Sequence, residues 1–247
     1  MEDIDGRSRY VDYDQVAQRY RHGRELSPEV LDRWRAAVLP HVPGRPLRVV
    51  DVGAGTGMFA AAWPGWAPAT VVAIEPNQAM IRAGHRGVRY VRAIAEDLPV
   101  ASGSVDVAWV STALHHFADV PRAIAECVRV LRDPGCVLVR TFLPGRTEIT
   151  WVGAFPRHAK ALTRFPDLDQ LADVFGAHGL VPNHVGEVFE EVWTFAESAD
   201  WVERMRHADT MLTAFTDDEV AEGVRTLRAQ PTRQARNELS LVVFRRP

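Results

Sequence analysis

The stretch VVDVGAGTG, Val49 to Gly57, decides the fold. The stretch begins within an apolar run, Leu47 to Val52, which has the length and the β-branched content of a strand that is buried on both faces. Three glycines at alternate positions then predict a tight turn with no side chain in the way of a ligand. A short helical segment, Met58 to Trp63, begins directly after the turn. Strand, glycine turn and helix predict a place where backbone N–H groups and a helix N-terminus meet a nucleotide-like ligand.

The spacing of the acid and the glycines separates the possible ligands. A dinucleotide turn has the pattern G-x-G-x-x-G, whereas this chain has D-x-G-x-G-x-G, formed by Asp51, Gly53, Gly55 and Gly57. That pattern resembles motif I of the class I S-adenosylmethionine (SAM) methyltransferases. The resemblance implies that the turn, with Ala54, carries the methionine end of SAM and that Asp51 orders its amino group.

Composition indicates a globular chain without an electrostatic preference for polyanions. The 247 residues are enough for one α/β domain with insertions, and 47% hydrophobic and 25% charged residues are ordinary proportions. A formal net charge of -3, from 29 basic and 32 acidic residues, gives no case for binding nucleic acid or an anionic membrane. We therefore expect a single domain over residues 1–247 whose partner is a small molecule.

The N-terminal residues and the cysteines suggest no targeting or metal-binding device. Residues 1–5, MEDID, are acidic and lack the basic and apolar parts of a signal peptide. No apolar run approaches the roughly 20 residues that span a bilayer. Cys127 and Cys136 suggest neither a metal spacing nor a disulfide framework. A cytoplasmic location is the expectation.

The N-terminal segment contains a second recognisable pattern. Residues 7–39 are predicted to be helical, and residues 1–40 are expected to cap the core. Tyr13 to Arg24 resembles the Y-D-x-x-A-x-x-Y-x-x-x-R entry helix of small-molecule methyltransferases. That resemblance implies that Tyr20 and Arg24 close over the SAM carboxylate. The alternative is an ordinary helix in which Tyr20 packs and Arg24 is solvated.

An acid at the end of the second strand is the expected ribose ligand. Residues 70–75 form that predicted strand, and Glu75 lies twenty residues after Gly55. A carboxylate there can accept hydrogen bonds from both ribose hydroxyls of an adenosine. We expect the fold to survive replacement of Glu75, since it ends a strand. Pro76 begins the next turn, and Met80 lies against either the adenine ring or the core.

The segment after the third predicted strand, residues 88–92, departs from the family pattern. Residues 93–99, AIAEDLP, resemble G-D-A-E-D-L-P, but Ile94 stands where relatives have an Asp that contacts the adenine amine. Adenine recognition then falls to backbone groups near Ala95 and Glu96 or to Asp97. Asp97 is also a candidate cap of a helix or turn.

The fourth predicted strand, residues 104–111, ends at Ser111 and leads into two adjacent histidines. Residues 113–119 match the A-L-H-H-x-x-D signature of the same relatives. Adjacent side chains diverge and no third ligand is evident, so no metal site is expected. His115 is expected to hold the loop. His116 is a candidate general base, because histidine can take a proton near neutral pH.

The rest of the chain completes an α/β pattern. Helices are predicted over residues 120–131, 167–178 and most of 198–230, and extended segments over 136–142, 180–195 and 239–244. Residues 143–166 and 196–237 are expected to form lids or substrate-binding insertions. The resemblance implies a Rossmann-like seven-stranded sheet of order 3-2-1-4-5-7-6, with an antiparallel last strand and helices on both faces.

The function implied is methyl transfer from SAM to a small molecule by in-line displacement, with S-adenosylhomocysteine as product. The chain is similar to the type 11 and ubiquinone-biosynthesis methyltransferases. Its aromatic-rich insertion, residues 143–166, and the acidic run of its late extended segment, Glu187, Glu190 and Glu191, suggest a small, partly apolar acceptor, such as a natural product or an isoprenoid quinone precursor. The accepting atom, the need for a base and the oligomeric state stay open. The alternatives are a SAM-binding cyclase or regulatory subunit, which the departure at Ile94 permits, and an NAD(P)-dependent oxidoreductase.

Overall fold

One mixed sheet organises the chain. The computed structural model describes residues 13–247, apart from the side chain of Lys160. Its strands are β1 (Leu47–Val52), β2 (Ala69–Ile74), β3 (Tyr90–Val91), β4 (Val105–Ser111), β5 (Leu131–Thr141), β6 (Val181–Thr194) and β7 (Gln234–Arg245). They lie in the order β3-β2-β1-β4-β5-β7-β6. The first five are parallel, whereas β7 is antiparallel to both β5 and β6. The expected Rossmann-like fold is confirmed.

Helices cover both faces of this sheet. They are α1 (Tyr13–Arg24), α2 (Pro28–Val38), α3 (Met58–Trp66), α4 (Gln78–Ala83), α5 (Val120–Val130), α6 (His158–Leu162), α7 (Leu168–Gly176), α8 (Phe195–Met205) and α9 (Asp217–Arg228). Trp34, Phe59 and Trp109 belong to the apolar cluster on one face, and Ile124 and Phe175 to the cluster on the other. None of the helices described is long and apolar enough to cross a membrane.

The predicted N-terminal helix is two helices where the structure describes it. Residues 7–12 lie outside the described residues. The remainder breaks before Pro28, because the Ser27 side chain accepts the Val30 amide hydrogen and caps α2. Proline is well suited to the first position of a helix, where its missing N–H has no partner to lose. The third strand is also shorter than predicted, since only Tyr90 and Val91 pair with β2.

The predicted helix over residues 198–230 is likewise two helices. Capping boxes formed by Thr194 with Glu197 and by Thr216 with Glu219 start α8 and α9 separately. The segment between β6 and β7 is residues 195–233 rather than 196–237, because β7 begins at Gln234 and pairs there with β6. β5 begins at residue 131 rather than 136, because Leu131 pairs with Val105 of β4.

The last two strands rise beyond the edge of the parallel strands. β5 ends with Thr141 opposite Ser240, but β6 and β7 remain paired as far as Thr194 opposite Gln234. The β6–β7 hairpin therefore projects past the carboxyl end of β5. Contacts of α1 with α8 and of α8 with α9 close the space above this edge.

Candidate active site

A cavity opens at the carboxyl ends of the parallel strands, the edge at which ligands bind in such sheets. The glycine turn after β1, α1, the ends of β4 and β5, the hairpin and the segment after α8 all contribute to its walls. The predicted site residues that line it are Tyr20, Arg24, Asp51, Gly53, Ala54, Gly55, Ser111 and His116. The structure thus brings residues from the first 116 positions together with side chains from the last third of the chain.

The glycine turn has the backbone conformation that its sequence predicted. Gly53, Gly55 and Gly57 have φ angles of 71°, 57° and 71°, which residues with a side chain rarely adopt. A Cβ atom on Gly55 would lie 3.3 Å from Cε of Met80. A Cβ atom on Gly57 would overlap the Tyr90 hydroxyl, and Gly57 is not among the cavity-lining residues described. Gly57 therefore serves packing, while Gly53 and Gly55 face the cavity.

Asp51 is a buried acid at the cavity floor. Burial raises the pKa of Asp51 to about 8, against a backbone hydrogen bond from Ala60 that lowers it, so this carboxyl is protonated at neutral pH. Among the described residues no arginine or histidine lies within ion-pair distance of it. A neutral acid without a cationic partner fits an incoming ammonium group, which would restore its charge.

Glu75 lies behind the turn rather than on the cavity wall. Its Oε2 atom accepts the Gly55 amide hydrogen at 2.8 Å, and its Oε1 atom accepts that of Asn77 at 2.9 Å. Helix α1 packs on α4 in front of it, where Arg21 donates to the Ala83 carbonyl at 3.0 Å. Each oxygen keeps one lone pair for a further donor, and the part of Glu75 in ribose binding stays a prediction.

The other residues predicted on the adenosine side are engaged elsewhere. Met80 packs in a small cluster with residues of α1, and Ala95 is buried below the sheet edge. Glu96 accepts the amide hydrogens of Ala118 and Asp119 at 2.8 and 3.1 Å and so holds the loop before α5. Pro76 is exposed. None of the four is among the described residues that line the cavity, and their part in binding stays a prediction.

Arg24 has a protein partner that the sequence did not predict. Its guanidinium forms an ion pair with Asp209, a buried residue just after α8. The Asp209 Oδ1 atom accepts the amide hydrogens of Met211 and Leu212 at 2.8 and 3.1 Å. The Arg24 guanidinium also lies 5.6 Å from the ring of Trp201. Arg24 is therefore fixed at the cavity wall with donors left for a carboxylate.

His116 is held by hydroxyl groups on two sides. The Tyr13 and Thr210 hydroxyls lie 3.2 and 3.3 Å from its Nε2 atom. Burial, with a smaller contribution from Arg24, lowers the pKa of His116 to about 4, so the ring is neutral at pH 7. His115 is half-buried, and burial lowers its pKa well below the usual value. These contacts join the loop after β4 to α1 and to the segment after α8.

A buried ion pair lies where β5 meets the hairpin. Arg140 donates from Nε to Oε1 of Glu190 at 2.9 Å, and Trp34 donates to the same oxygen at 2.8 Å. Arg140 also donates to the Ser111 hydroxyl at 3.2 Å. The signal in the sequence was a single arginine inside the apolar run CVLVRTF of residues 136–142. A charge in such a run must be paired when it is buried.

Metal and thiol chemistry have no arrangement of side chains to support them in the described part of the chain. No group of three or more His, Cys, Asp or Glu side chains there could hold a metal ion. Cys127 and Cys136 are buried free thiols, and burial raises the pKa of each to about 12.

Comparison with known proteins finds a family whose sequence model includes the glycine turn. Residues 50–139 match the sequence model of a family described as a methyltransferase domain, a span that runs from β1 through the glycine turn, Glu75 and the two histidines to β5. Over this span the chain is similar to a methyltransferase domain. The sheet to which this span belongs has the strand order that the motifs implied.

Relatives extend the similarity beyond that span. The chain is 37% identical over 159 residues to an uncharacterized methyltransferase of Mycobacterium sp. (strain JLS), covering 63% of this chain and 59% of the relative. It is 31% identical over 177 residues to a malonyl-[acyl-carrier protein] O-methyltransferase of Laribacter hongkongensis (strain HLHK9), covering 65% of this chain and 59% of the relative. The chain therefore matches about three fifths of the length of these relatives.

A solved structure is similar over most of this chain. It is the crystal structure of a proposed methyltransferase from an antibiotic biosynthesis pathway of Anabaena variabilis ATCC 29413, with a TM-score of 0.70. The match covers 87% of this chain and 97% of that chain at 21% sequence identity. At this identity the likeness shows the fold alone.

Proposed function

We propose that this protein transfers the methyl group of SAM to a small-molecule acceptor. The observation that carries the proposal is the glycine turn, which faces the cavity beside the protonated, unpaired carboxyl of Asp51. A turn of this kind lets a ligand approach the backbone closely, and the acid is suited to an ammonium group. The family of the domain supports SAM as the ligand that has both features.

The residues present fit the amino-acid end of SAM more closely than its nucleoside end. Asp51 would hold the ammonium group, Arg24 the carboxylate, and the backbone of Gly53 and Gly55 the chain between them. Glu75 would take the ribose hydroxyls after α1 moves away from α4. Bound SAM supplies a methyl group on a positively charged sulfur, which is already a good leaving group.

The protein's own contribution is then alignment and the exclusion of water. The α1 helix, the segment of residues 143–166 and the segment of residues 195–233 enclose the cavity. Holding two reactants in line converts a bimolecular step into an effectively unimolecular one, and a dry site strengthens the electrostatic contacts. His116 holds the loop in this scheme, because Nε2 already meets two hydroxyls.

The test is ligand binding followed by turnover. Isothermal titration is expected to show binding of SAM and S-adenosylhomocysteine and none of NADH, and S-adenosylhomocysteine release is expected with a small-molecule acceptor. Binding of NADH in place of SAM would instead favour an oxidoreductase. Binding of SAM without release of S-adenosylhomocysteine from any acceptor would favour a cyclase or a regulatory subunit.

A pair of glycine variants shows whether the turn is the binding site. Gly55→Val is expected to abolish SAM binding, since its branched side chain would meet Met80 and enter the cavity. Gly103→Val is the matched control, because Gly103 also has a positive φ, of 60°, but open space around it. Near-native affinity in Gly55→Val would show that the turn is only structural.

A further inference from the structure

The far wall of the cavity is built by an irregularity in the hairpin. Register between β6 and β7 shifts between Phe189 and Glu191, so that Glu190 is an extra residue without a direct partner. Before the bulge the inward side chains are Val188 and Glu190, whereas after it Glu191 and Trp193 line the cavity. Two consecutive carboxylates thus reach one cavity, which a regular strand does not allow.

The positive charges that line the cavity are already engaged. Arg140 is paired with Glu190, Arg24 is paired with Asp209, and Arg21 donates to backbone carbonyls at the end of α4. Glu191 has no cationic side chain within ion-pair distance among the described residues. Burial and the neighbouring Glu190 raise its pKa, against a hydrogen bond from the Trp193 side chain and the more distant charge of Arg33, which lower it. The unbalanced charge on this wall is therefore negative.

A second acceptor near Glu191, the side-chain oxygen of Asn237, lacks a donor in the described part of the chain. Asn237 lies opposite Glu191 across the hairpin. Its Oδ1 atom is closed off from solvent and accepts no hydrogen bond from the described residues. Glu238, the next residue, lines the cavity and pairs with Arg236, whose side chain is largely exposed. A ligand that donates hydrogen bonds would satisfy this wall, whereas a carboxylate would meet acceptors.

Indole rings complete the same wall. The centroid of Trp201 lies 5.4 Å from that of Trp151 and 5.7 Å from that of Trp193, and all three line the cavity. The faces of indole rings attract cations such as alkylammonium groups. Trp201 already has the Arg24 guanidinium 5.6 Å from its ring centroid, so this wall accommodates positive charge.

We propose that the methyl acceptor is a small aliphatic amine, bound as its ammonium form between the Glu191 carboxylate and the indole of Trp193. This inference rests on the proposed function. In the step it implies, the ammonium first gives one N–H proton to the Glu191 carboxylate. The freed lone pair forms the N–C bond while the S–C bond breaks and its electron pair stays on sulfur. The sulfonium charge passes to the methylated nitrogen, and the total charge is unchanged.

Two isosteric probes separate charge from shape. Protonated 2-(dimethylamino)ethanol and neutral 3-methylbutan-1-ol differ by an N–H⁺ in place of a C–H. Each probe is titrated into protein that is saturated with S-adenosylhomocysteine. The dissociation constant of the ammonium probe is expected to be at least tenfold lower than that of the alcohol. Glu191→Gln is expected to remove that preference. Glu187→Gln is the control, because Glu187 is on the same strand but exposed and paired with Arg146.

Each outcome supports or overturns the inference separately from the proposed function. Absence of S-adenosylhomocysteine binding would contradict the proposed function itself. Equal affinity for the two probes, or methylation of carboxylic acids and phenols but not of amines, would overturn the amine inference and leave methyl transfer intact. If Glu191→Gln lowers the affinity for S-adenosylhomocysteine as much as the affinity for the ammonium probe, Glu191 serves the methyl donor. That result also overturns the amine inference.

Discussion

Glu75 shows how one residue can hold the site together before any ligand binds. The distance in sequence from Gly55 predicted the position of this acid, because the turn and the end of β2 are neighbours in such sheets. It did not predict that both carboxylate oxygens accept backbone amide hydrogens. The reason for expecting the fold to survive replacement of Glu75, that an acid at a strand end is not core, does not hold, since the side chain is buried and supports the glycine turn. Survival of the fold stays a prediction.

Replacing Glu75 is therefore expected to affect stability as well as binding. Glu75→Ala leaves the amides of Gly55 and Asn77 without acceptors, which costs about 1–3 kcal/mol in the free energy of unfolding. Loss of charge-assisted bonds to ribose lowers SAM affinity by roughly one to two orders of magnitude. Urea unfolding and isothermal titration measure the two effects, with the exposed Glu187→Ala as control. A stable variant with unchanged affinity contradicts both roles.

Asp51 is expected to lose a proton when SAM binds. With a pKa of about 8 it is mostly protonated at pH 7 in the ligand-free protein. A neighbouring ammonium group favours the charged form and lowers this pKa, so that up to about one proton is released. Titration calorimetry at pH 7 in phosphate and in Tris, whose ionisation enthalpies differ, measures the number. The Asp51→Asn variant is expected to bind SAM without this release of a proton. A binding enthalpy that is identical in both buffers would contradict the assignment.

The last turn of helix α1 is attached to the rest of the molecule at three residues. Arg21 bonds to the end of α4, the Gly23 carbonyl accepts the Trp201 indole hydrogen at 2.8 Å, and Arg24 pairs with Asp209. The sequence predicted the helix but not these attachments, because their partners lie some 60 to 185 positions further along the chain.

Loosening one attachment is expected to free α1 more than the core. Asp209→Asn keeps an acceptor for the Met211 and Leu212 amides but removes the charge opposite Arg24. The free energy of unfolding is expected to fall by about 1–2 kcal/mol, a loss near the lower end for one charge-assisted hydrogen bond, because the Arg24 side chain is partly exposed. Hydrogen–deuterium exchange of α1 amides is expected to accelerate, whereas exchange in β4 and β5 is not. Asp217→Asn, at an exposed pair with Arg206, is the control. Unchanged exchange in α1 would refute the attachment.

Element boundaries could be predicted only where a local signal fixed them. Ser27-Pro28 and the two Thr-x-x-Glu boxes at Thr194 and Thr216 are visible in the sequence and mark the starts of α2, α8 and α9. The length of β7 had no such signal. Its polar first residues are extended only because β6 pairs with them above the sheet edge.

The stability of the whole molecule is expected to fall on the acid side through its buried histidines. His116 has a folded pKa of about 4 and an ordinary value near 6.5, so below pH 6.5 the unfolded chain binds the proton and the folded protein does not. The neutral His116 therefore contributes fully to the free energy of unfolding above pH 6.5, and this contribution is lost as the pH falls toward 4. Between pH 7.5 and pH 5 it amounts to about 2 kcal/mol.

A variant isolates this effect. His116→Asn is expected to lose about 2 kcal/mol less stability than the wild type between pH 7.5 and pH 5, as measured by urea unfolding. His22→Asn, at an exposed position, is expected to follow the wild type. If His116 only holds the loop, kcat of His116→Asn with an accepted substrate also keeps the native pH profile. Parallel stability curves for His116→Asn and wild type would contradict the buried neutral histidine.

The sequence predicted the parallel half of the fold and the donor side of the site better than the acceptor side. The glycine turn, Glu75 and the two histidines are close in sequence to the strands that position them. Asp209, Asn237 and Trp201 reach the cavity from the segment after β6 and from β7, which have no comparable motif. The bulge that places Glu190 and Glu191 side by side depends on a pairing register, which is a property of two strands and not of one.

The position of α1 over the glycine turn sets the kinetics of exchange. Tyr20 and Met80 lie within 4 Å of where a Cβ atom on Gly55 would stand, so a ligand on the turn is covered by the helix. If α1 must undock before a ligand leaves, the rate of that opening is the upper limit of the dissociation rate constant. Ligands of different affinity that share the turn and leave at this limit would then have similar dissociation rate constants. Their dissociation constants would differ through their association rate constants.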